Sequence, residues 1–137
     1  MSVLESPLPH GRVVAGIGID LCEVPRIAAA YGRHGARFLD RVFGPGEIRR
    51  RPESPVFAEH LAGLFAAKEA AMKALGTGMR GVAFRDIAVV RSGGPPRLAL
   101  TGGAARRAEE LGVTGAHVTI THTKEVAAAV VLLLRGD

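Results

Sequence analysis

Hydrophobic residues recur every three to four positions between Phe57 and Leu75, which is the period of one face of an α-helix. Glycines at 76 and 78 follow directly, and glycine is common where a helix ends because it adopts the left-handed conformation without strain. The pattern predicts a long helix over 57–75 whose apolar stripe faces the core. That stripe contains Phe57, Leu61, Leu64, Phe65, Met72 and Leu75.

An alternating pattern over 13–20 predicts a strand. Ile17 and Ile19 point to one face, and the opposite face carries two glycines and Asp20. A carboxylate at the end of an apolar strand has to be hydrated, paired or bound to a cation, because burying it alone is costly. Either a helix packs on the glycines and Asp20 caps the turn, or the space admits a ligand and Asp20 binds a metal. The segment alone favours the first interpretation.

The rest of the chain contains short helical and strand patterns, with the strands grouped in the second half. This order predicts an α+β fold in which an antiparallel sheet packs on the long central helix. A chain of 137 residues suits one domain, 13–137, preceded by a flexible N-terminal extension over 1–12. The other predicted elements are helices over 25–31, 36–42 and 104–111 and strands over 84–90, 97–100, 118–121 and 126–134.

Composition excludes several classes of protein. Hydrophobic residues make up 47% of the chain, enough for a packed core, but no apolar run approaches the ~20 residues needed to span a bilayer. The single cysteine, Cys22, cannot form an internal disulfide, and no Cys and His cluster has zinc-site spacing. Since 1–12 lacks the charged start and apolar centre of a signal peptide, we expect a soluble cytoplasmic protein.

The charge balance predicts an anionic partner. The net charge is +5, and 15 of the 18 basic residues are arginines. Over 26–51, seven arginines are accompanied only by Asp40 and Glu47. Such a surface attracts a nucleic acid, a phosphorylated ligand or an acidic protein.

Charged residues of the long helix allow two interpretations. Lys68 falls inside the apolar stripe, whereas Glu69 and Lys73 lie four apart on a neighbouring face. One interpretation is an exposed pair worth ~0.3–0.5 kcal/mol, with Lys68 reaching out to water. The other is a carboxylate for a metal beside ammonium groups for phosphate oxygens. Spacing alone favours the exposed pair. A similar choice applies to His122, which is either a core histidine or part of a phosphate site with the hydroxyls that flank it.

Taken in order, these segments resemble the holo-acyl-carrier-protein synthases, a family of 4′-phosphopantetheinyl transferases. Gly-Ile-Gly-Ile-Asp at 16–20 is similar to the family's opening motif, and Phe-Ala-Ala-Lys-Glu-Ala at 65–70 is similar to its signature helix. The resemblance covers 13–134. The further matching segments, in the family's order, are 76–78, 84–87, 94–96 and 121–123.

The resemblance implies transfer of phosphopantetheine from coenzyme A to a serine of an apo acyl carrier protein, with release of adenosine 3′,5′-bisphosphate. It implies that Asp20 and Glu69 hold Mg²⁺, which Mn²⁺ can replace. It also implies that Glu69, Lys73 and His122 are catalytic. Thr123 stands where some relatives have an aspartate, so the proton acceptor is either metal-bound water or Glu69. The residues expected to contact coenzyme A are Lys68, Lys73, Gly76, His122 and Thr123. For Lys68 the alternative is that it braces the interface between protomers.

The same resemblance gives the arginine-rich stretch a partner. Acyl carrier proteins are acidic, and Arg26, Arg33 and Arg37 are the positions expected to bind one. Arg41 and 49–51 are expected to serve either the carrier protein or the 3′-phosphate of coenzyme A. The family also implies a homotrimer with active sites between protomers, and a role in fatty-acid or polyketide synthesis.

Two other classes of function remain as alternatives. A small basic nucleic-acid-binding domain would match the charge, although aromatic residues are only 4% of the chain and form no stacking platform. A metal-dependent phosphohydrolase would use the same carboxylates and release free phosphopantetheine without a carrier protein.

Overall fold

A computed structural model describes residues 11–136. The helices are α1 (Val24–His34), α2 (Ala36–Val42), α3 (Phe57–Leu75) and α4 (Gly102–Glu110), and the strands are β1 (Arg12–Glu23), β2 (Ile87–Val90), β3 (Arg97–Leu100), β4 (Val113–His122) and β5 (Val126–Gly136). An antiparallel sheet has the strand order β1-β5-β4, and β2 and β3 form a separate antiparallel hairpin. The predicted α+β class is confirmed.

Helix α3 is the centre of the core. Its residues are buried on most sides, from Phe57 at its start to Leu75 at its end, because it packs on the inner face of the sheet and against α1 and β2. Gly76 ends the helix in the left-handed conformation with φ 76°, and its N–H donates to the carbonyls of Met72 and Lys73. The predicted bounds of this helix are confirmed. Its enclosure explains why so many of its positions are alanine: neighbouring backbones lie close to it.

The sheet approaches α3 most closely along the glycines of β1. A Cβ atom built on Gly16 would overlap the carbonyl oxygen of Ala74, and one built on Gly18 would overlap that of Ala70. Only glycine allows a strand backbone to lie this close to a helix backbone. The prediction that a helix packs on these glycines is therefore confirmed.

The outer face of the sheet is apolar and exposed. Ile17, Ile19 and Leu21 of β1 are 66%, 62% and 70% exposed, and they lie opposite Leu132, Val130 and Ala128 of β5. The predicted alternation is correct, but the isoleucines point away from the core and the glycines point into it. A contiguous apolar sheet face of this kind is typical of a contact surface.

Several element bounds differ from the prediction. Helix α1 continues through Gly32 to His34, whereas the prediction ended it at Gly32. The strand predicted over 84–90 starts with a 3₁₀ turn, Phe84–Asp86, because the Asp86 carboxylate accepts a hydrogen bond from the Ala83 N–H at 3.0 Å and bends the chain. β1, β4 and β5 extend beyond their predicted ends.

The predicted N-terminal extension lies mostly outside the described residues, since the description begins at Gly11 and Arg12 is the first residue of β1. Across residues 11–136, none of the helices has the length and apolar character needed to cross a membrane.

Candidate active site

Asp20 and Lys73 meet where β1 crosses α3. Asp20 is only 8% exposed, and its Oδ1 lies 3.1 Å from the Nζ of Lys73. The same Nζ donates to the carbonyl oxygen of Ile19 at 3.0 Å, although more than half of the Lys73 side chain is open to solvent. An ammonium group thus stands at the rim of a nearly buried carboxylate.

Glu69 lies one helical turn before Lys73 and lines the same cavity as Asp20. Burial raises the pKa of Glu69, and the negative charge of Asp20 raises it further, while Lys73 and Arg26 act in the opposite direction. Two carboxylates therefore share one poorly hydrated cleft. Such a pair is stabilised by a shared proton or by a cation.

The carboxylates open onto a cavity of about 350 Å³ between α1, α2 and α3. Its walls are largely apolar, with Ile27, Phe38 and Phe65, and Arg26 and Arg33 of α1 stand at its rim. We call this cavity the carboxylate cleft. It combines negative charge at its base with positive charge and apolar surface around the entrance.

Cys22 also lines the carboxylate cleft, two residues after Asp20. Burial raises the pKa of its thiol to about 11, and the charges of Asp20 and Glu69 add to this effect. A thiol with this pKa stays protonated near neutral pH, so it is a poor nucleophile. Cys22 is therefore an inert thiol in the wall of the carboxylate cleft.

The donors of the carboxylate cleft fit Mg²⁺. This ion is commonly bound by one or two carboxylates together with waters and substrate phosphates, rather than by a complete protein cage. Asp20 and Glu69 supply two carboxylates, and within residues 11–136 no group of three or more His, Cys, Asp or Glu side chains is placed to hold a metal. Oxygen donors alone favour a hard cation over zinc.

A second cavity, of about 510 Å³, lies at the opposite end of α3. We call it the arginine cleft because Arg49, Arg50 and Arg91 line it, together with His60 and His122. The Arg49 side chain donates to the carbonyl of Arg91 at 2.7 Å, and its backbone N–H donates to Nε2 of His60 at 2.9 Å. This concentration of cationic and neutral donors suits a phosphate group.

The sheet register separates the two clefts within one chain. Asp20 pairs with Ala129 and His122 pairs with Ala127, so the two side chains lie on either side of β5. Strands two apart in a sheet are separated by about 10 Å, and α3 fills the space between them. One chain therefore brings Asp20, Glu69 and Lys73 together but does not bring His122 to them.

Lys68 does not reach either cleft. It is fully buried, its Nζ lies 2.8 Å from Oε1 of Glu47, and it donates to the carbonyls of Phe84 and Ile87. Burial lowers the pKa of Lys68, while the hydrogen bond and charge of Glu47 raise it. All three N–H groups of the Lys68 ammonium have acceptors. The prediction that Lys68 contacts coenzyme A is therefore corrected: the side chain has a structural role. The alternative prediction, that Lys68 reaches out to water, is also wrong.

The remaining predicted site residues, Arg37, Gly76 and Thr123, lie at three different places in the structure. Arg37 is exposed and lies outside the lining of the carboxylate cleft. Gly76 lines a third cavity with Arg80 and Arg106. The hydroxyl of Thr123 accepts from the backbone N–H of Val126 at 3.2 Å, within the turn that joins β4 to β5.

Sequence reasoning missed the partners of two residues. The partner of Lys68 is Glu47, and the partner of His122 is Glu59, at 3.0 Å. Neither glutamate belongs to a recognisable sequence motif. Both pairs join elements remote in sequence, so no local pattern could have indicated them.

The chain matches the model of the 4′-phosphopantetheinyl transferase superfamily over residues 16–131. A holo-[acyl-carrier-protein] synthase of Nitratidesulfovibrio vulgaris is 51% identical to it over 123 residues, covering 88% of this chain and 98% of the relative. The chain belongs to this superfamily. The resemblance to the holo-[acyl-carrier-protein] synthase family is confirmed, and with it the prediction of an enzyme of that family.

Solved structures of the family have the same fold. The Neisseria meningitidis holo-[acyl-carrier-protein] synthase aligns with a TM-score of 0.79 and 31% identity, over 88% of this chain and 98% of that one. The Helicobacter pylori enzyme, solved in complex with coenzyme A, aligns with a TM-score of 0.74 and 30% identity, over 85% and 98% of the two chains.

Proposed function

We propose that this protein transfers 4′-phosphopantetheine from coenzyme A to a serine of an apo acyl carrier protein and releases adenosine 3′,5′-bisphosphate. The observation that carries the proposal is the pair of adjacent carboxylates, Asp20 and Glu69, with Lys73 at their rim. The relatives named holo-[acyl-carrier-protein] synthase support the reaction, and the coenzyme A complex of the Helicobacter pylori enzyme supports the donor substrate.

In this proposal Asp20 and Glu69 hold Mg²⁺ or Mn²⁺, which supplies charge neutralisation for the diphosphate of coenzyme A. Transfers of this kind pass through loose transition states, so orientation and electrostatic stabilisation provide most of the catalysis. The serine oxygen forms a bond to the phosphorus nearest pantetheine, and the bond from that phosphorus to the bridging oxygen breaks. Lys73 stabilises the negative charge that collects on the departing bisphosphate.

We propose that the acceptor of the serine proton is either a water molecule held by the metal or Glu69 itself, both of which lie in the carboxylate cleft. Cys22 does not act as the proton acceptor, because its thiol keeps its own proton at neutral pH.

We propose that the enzyme is a homotrimer in which the two clefts meet across the interface. The exposed apolar face around Ile17, Ile19 and Leu21 supports this, since isolated chains rarely expose so much contiguous apolar surface. A neighbouring chain would bring its own His122 and Arg49 towards the carboxylates of the first chain. The nucleotide end of coenzyme A would then lie in the arginine cleft and its diphosphate in the carboxylate cleft.

The carrier protein is proposed to bind on α1. Arg26 and Arg33 are seven residues apart, which places them on one face of the helix two turns apart, and both border the carboxylate cleft. Acidic side chains of the partner would meet them while its serine approaches Asp20. Arg37 lies beyond the rim and is the least direct contact of the three. Such a carrier serves fatty-acid or polyketide synthesis, and both substrates agree with the predicted cytoplasmic location.

Intact-mass measurement tests the function directly. Apo acyl carrier protein incubated with coenzyme A, Mg²⁺ and this protein is expected to gain the mass of one phosphopantetheine, and EDTA is expected to prevent the gain. Asp20→Asn is the matched inactive variant, and Asp40→Asn, at an exposed aspartate of α2, is its control. Free phosphopantetheine formed without a carrier protein would support a phosphohydrolase instead. An unchanged carrier mass with wild-type protein would refute the proposal.

A further inference from the structure

Glu59 and His122 form a contact that joins α3 to the end of β4. The Oε2 of Glu59 lies 3.0 Å from the Nδ1 of His122, and the Glu59 side chain is 14% exposed against 47% for the imidazole. Glu59 belongs to the first turn of α3, whereas His122 is the last residue of its strand. Packing of the helix on the sheet therefore fixes both ends of the contact.

The pairing is selective. Arg49, Arg50 and Arg91 line the same cleft as Glu59, and a carboxylate forms its strongest hydrogen bonds with guanidinium groups. Even so, within residues 11–136 the Glu59 carboxylate forms its ion pair with His122 and with none of these arginines. The geometry keeps the arginines free of Glu59 and directs its charge to the imidazole.

A carboxylate that accepts from Nδ1 decides which ring nitrogen remains available. Nδ1 keeps its hydrogen in both the neutral and the charged ring, so Nε2 is the nitrogen that faces a ligand. The same bond restrains rotation of the ring, much as carboxylates orient histidines that bind metals.

The other histidine of the cleft is already engaged. Burial, with neighbouring arginines, lowers the pKa of His60, and its Nε2 accepts from the backbone N–H of Arg49 at 2.9 Å. His60 therefore supports the loop that carries Arg49. Of the two imidazoles, the one at position 122 is half exposed and has a ring nitrogen to offer to a ligand.

We propose that Glu59 is a positioning residue of the transferase: it accepts from Nδ1 of His122, and Nε2, which carries a hydrogen in the charged ring, donates to a phosphate oxygen of coenzyme A. The charged groups around the imidazole are Glu59 on α3, Arg49 and Arg50 in the loop before it, and Arg91 after β2. This inference rests on the proposed function, because it takes the cleft to bind coenzyme A.

The tautomer of His122 tests the positioning without any assay of activity. Long-range ¹H–¹⁵N spectra, with the ring signals assigned by His122→Asn, are recorded at a pH where the ring is neutral. Wild-type protein is expected to carry hydrogen on Nδ1, and Glu59→Ala is expected to shift the ring towards hydrogen on Nε2, the form that free histidine favours. Glu59→Gln retains a carbonyl acceptor and is expected to keep the wild-type form. The same tautomer in wild type and Glu59→Ala would overturn the proposal.

Kinetics with coenzyme A and apo acyl carrier protein test the consequence. Glu59→Ala is expected to raise the KM for coenzyme A roughly 10-fold, the scale of one hydrogen bond to a charged group, with little change in the KM for the carrier protein. Glu59→Gln is expected to recover most of the loss. Glu110→Ala, at an exposed glutamate of α4, is the control.

The two arms separate the possible failures. Wild-type protein without transfer activity would refute the proposed function, while the tautomer shift would still report on Glu59. Normal transfer by wild type with an unchanged KM in Glu59→Ala would refute the positioning role alone. Amide spectra of each variant identify any variant that has lost the fold, and Glu59→Gln, which preserves shape and the hydrogen-bond acceptor, then decides the question.

Discussion

The Nζ of Lys68 lies 2.8 Å from Oε1 of Glu47, and neither side chain is exposed by more than 2%. The second oxygen of Glu47 accepts from the backbone N–H of Val89 at 2.8 Å, so one buried ion pair joins α3, the loop after α2 and the β2–β3 hairpin. The next residue on α3, Glu69, turns instead to the carboxylate cleft. Adjacent residues of one motif thus serve two purposes: the first anchors the helix and the second serves the site.

Lys68→Met is expected to lower the free energy of unfolding by about 3–5 kcal/mol, because it leaves the buried charge of Glu47 without its partner. Urea denaturation at equal protein concentration measures the loss. The double variant Lys68→Met/Glu47→Gln is expected to be less damaging than the sum of the single changes, since both charges are then absent. Additive losses would argue against a coupled pair.

Glu69→Gln is expected to lower the rate of transfer roughly 10²-fold or more. The protein is expected to remain as stable as wild type or to become slightly more stable. The neutral amide removes a like charge from a poorly hydrated cleft, so its repulsion with Asp20 is relieved. Carrier-protein mass spectrometry and thermal melting measure the two effects. A large fall in the melting temperature would show that Glu69 contributes mainly to folding.

Stability is expected to depend on pH through His60, whose pKa is lowered in the folded state by burial and nearby arginines. The unfolded chain then binds the proton more tightly, so the contribution is complete above the ordinary value of 6.5 and is lost as the pH falls below it. Unfolding titrations at neutral and mildly acidic pH are expected to show a smaller loss for His60→Gln than for wild type. His117→Gln, at an exposed histidine of β4, serves as control.

Ile19→Asp is expected to convert the proposed trimer to single chains, because a carboxylate in an apolar interface has no partner there. Light scattering after size-exclusion chromatography gives the mass. Transfer activity is expected to fall with it, since each carboxylate cleft would lose the arginine cleft of its neighbour. A single-chain mass for wild-type protein at working concentration would contradict the trimer.

Arg33→Glu is expected to weaken binding of the acyl carrier protein, mostly by slowing association. The association rate is also expected to depend less on salt concentration. Coenzyme A binding is expected to remain unchanged by calorimetry. Arg106→Glu makes the same charge change on α4, outside the carboxylate cleft, and is the matched control. Equal loss of both ligands in Arg33→Glu would place Arg33 at the coenzyme A site.

Periodicity predicted α3 because a core helix repeats its apolar positions every turn, and short apolar runs predicted the strands over 118–121 and 126–134. Periodicity could not decide which face of β1 packs on the core. Isoleucines usually face a core, but here the glycine face of β1 does, because it lets the backbone of α3 approach.

The candidate site was less accessible to local reasoning. Asp20 and Glu69 belong to different elements, and spacing alone favoured ordinary pairs; the family resemblance brought them together. Lys68 was misassigned because its partner, Glu47, lies in a loop with no regular pattern. The contact of Glu59 with His122 likewise depends on how α3 crosses the sheet.

The glycines of β1 influence the position of the Asp20 carboxylate, two residues further along the strand. Gly16 and Gly18 allow strand and helix to touch backbone to backbone, and this contact fixes how far apart the acidic groups at positions 20 and 69 are held. A single added methyl would push the two elements apart and increase the distance between these two carboxylates. The separation of the proposed metal ligands therefore depends on the absence of side chains at positions 16 and 18.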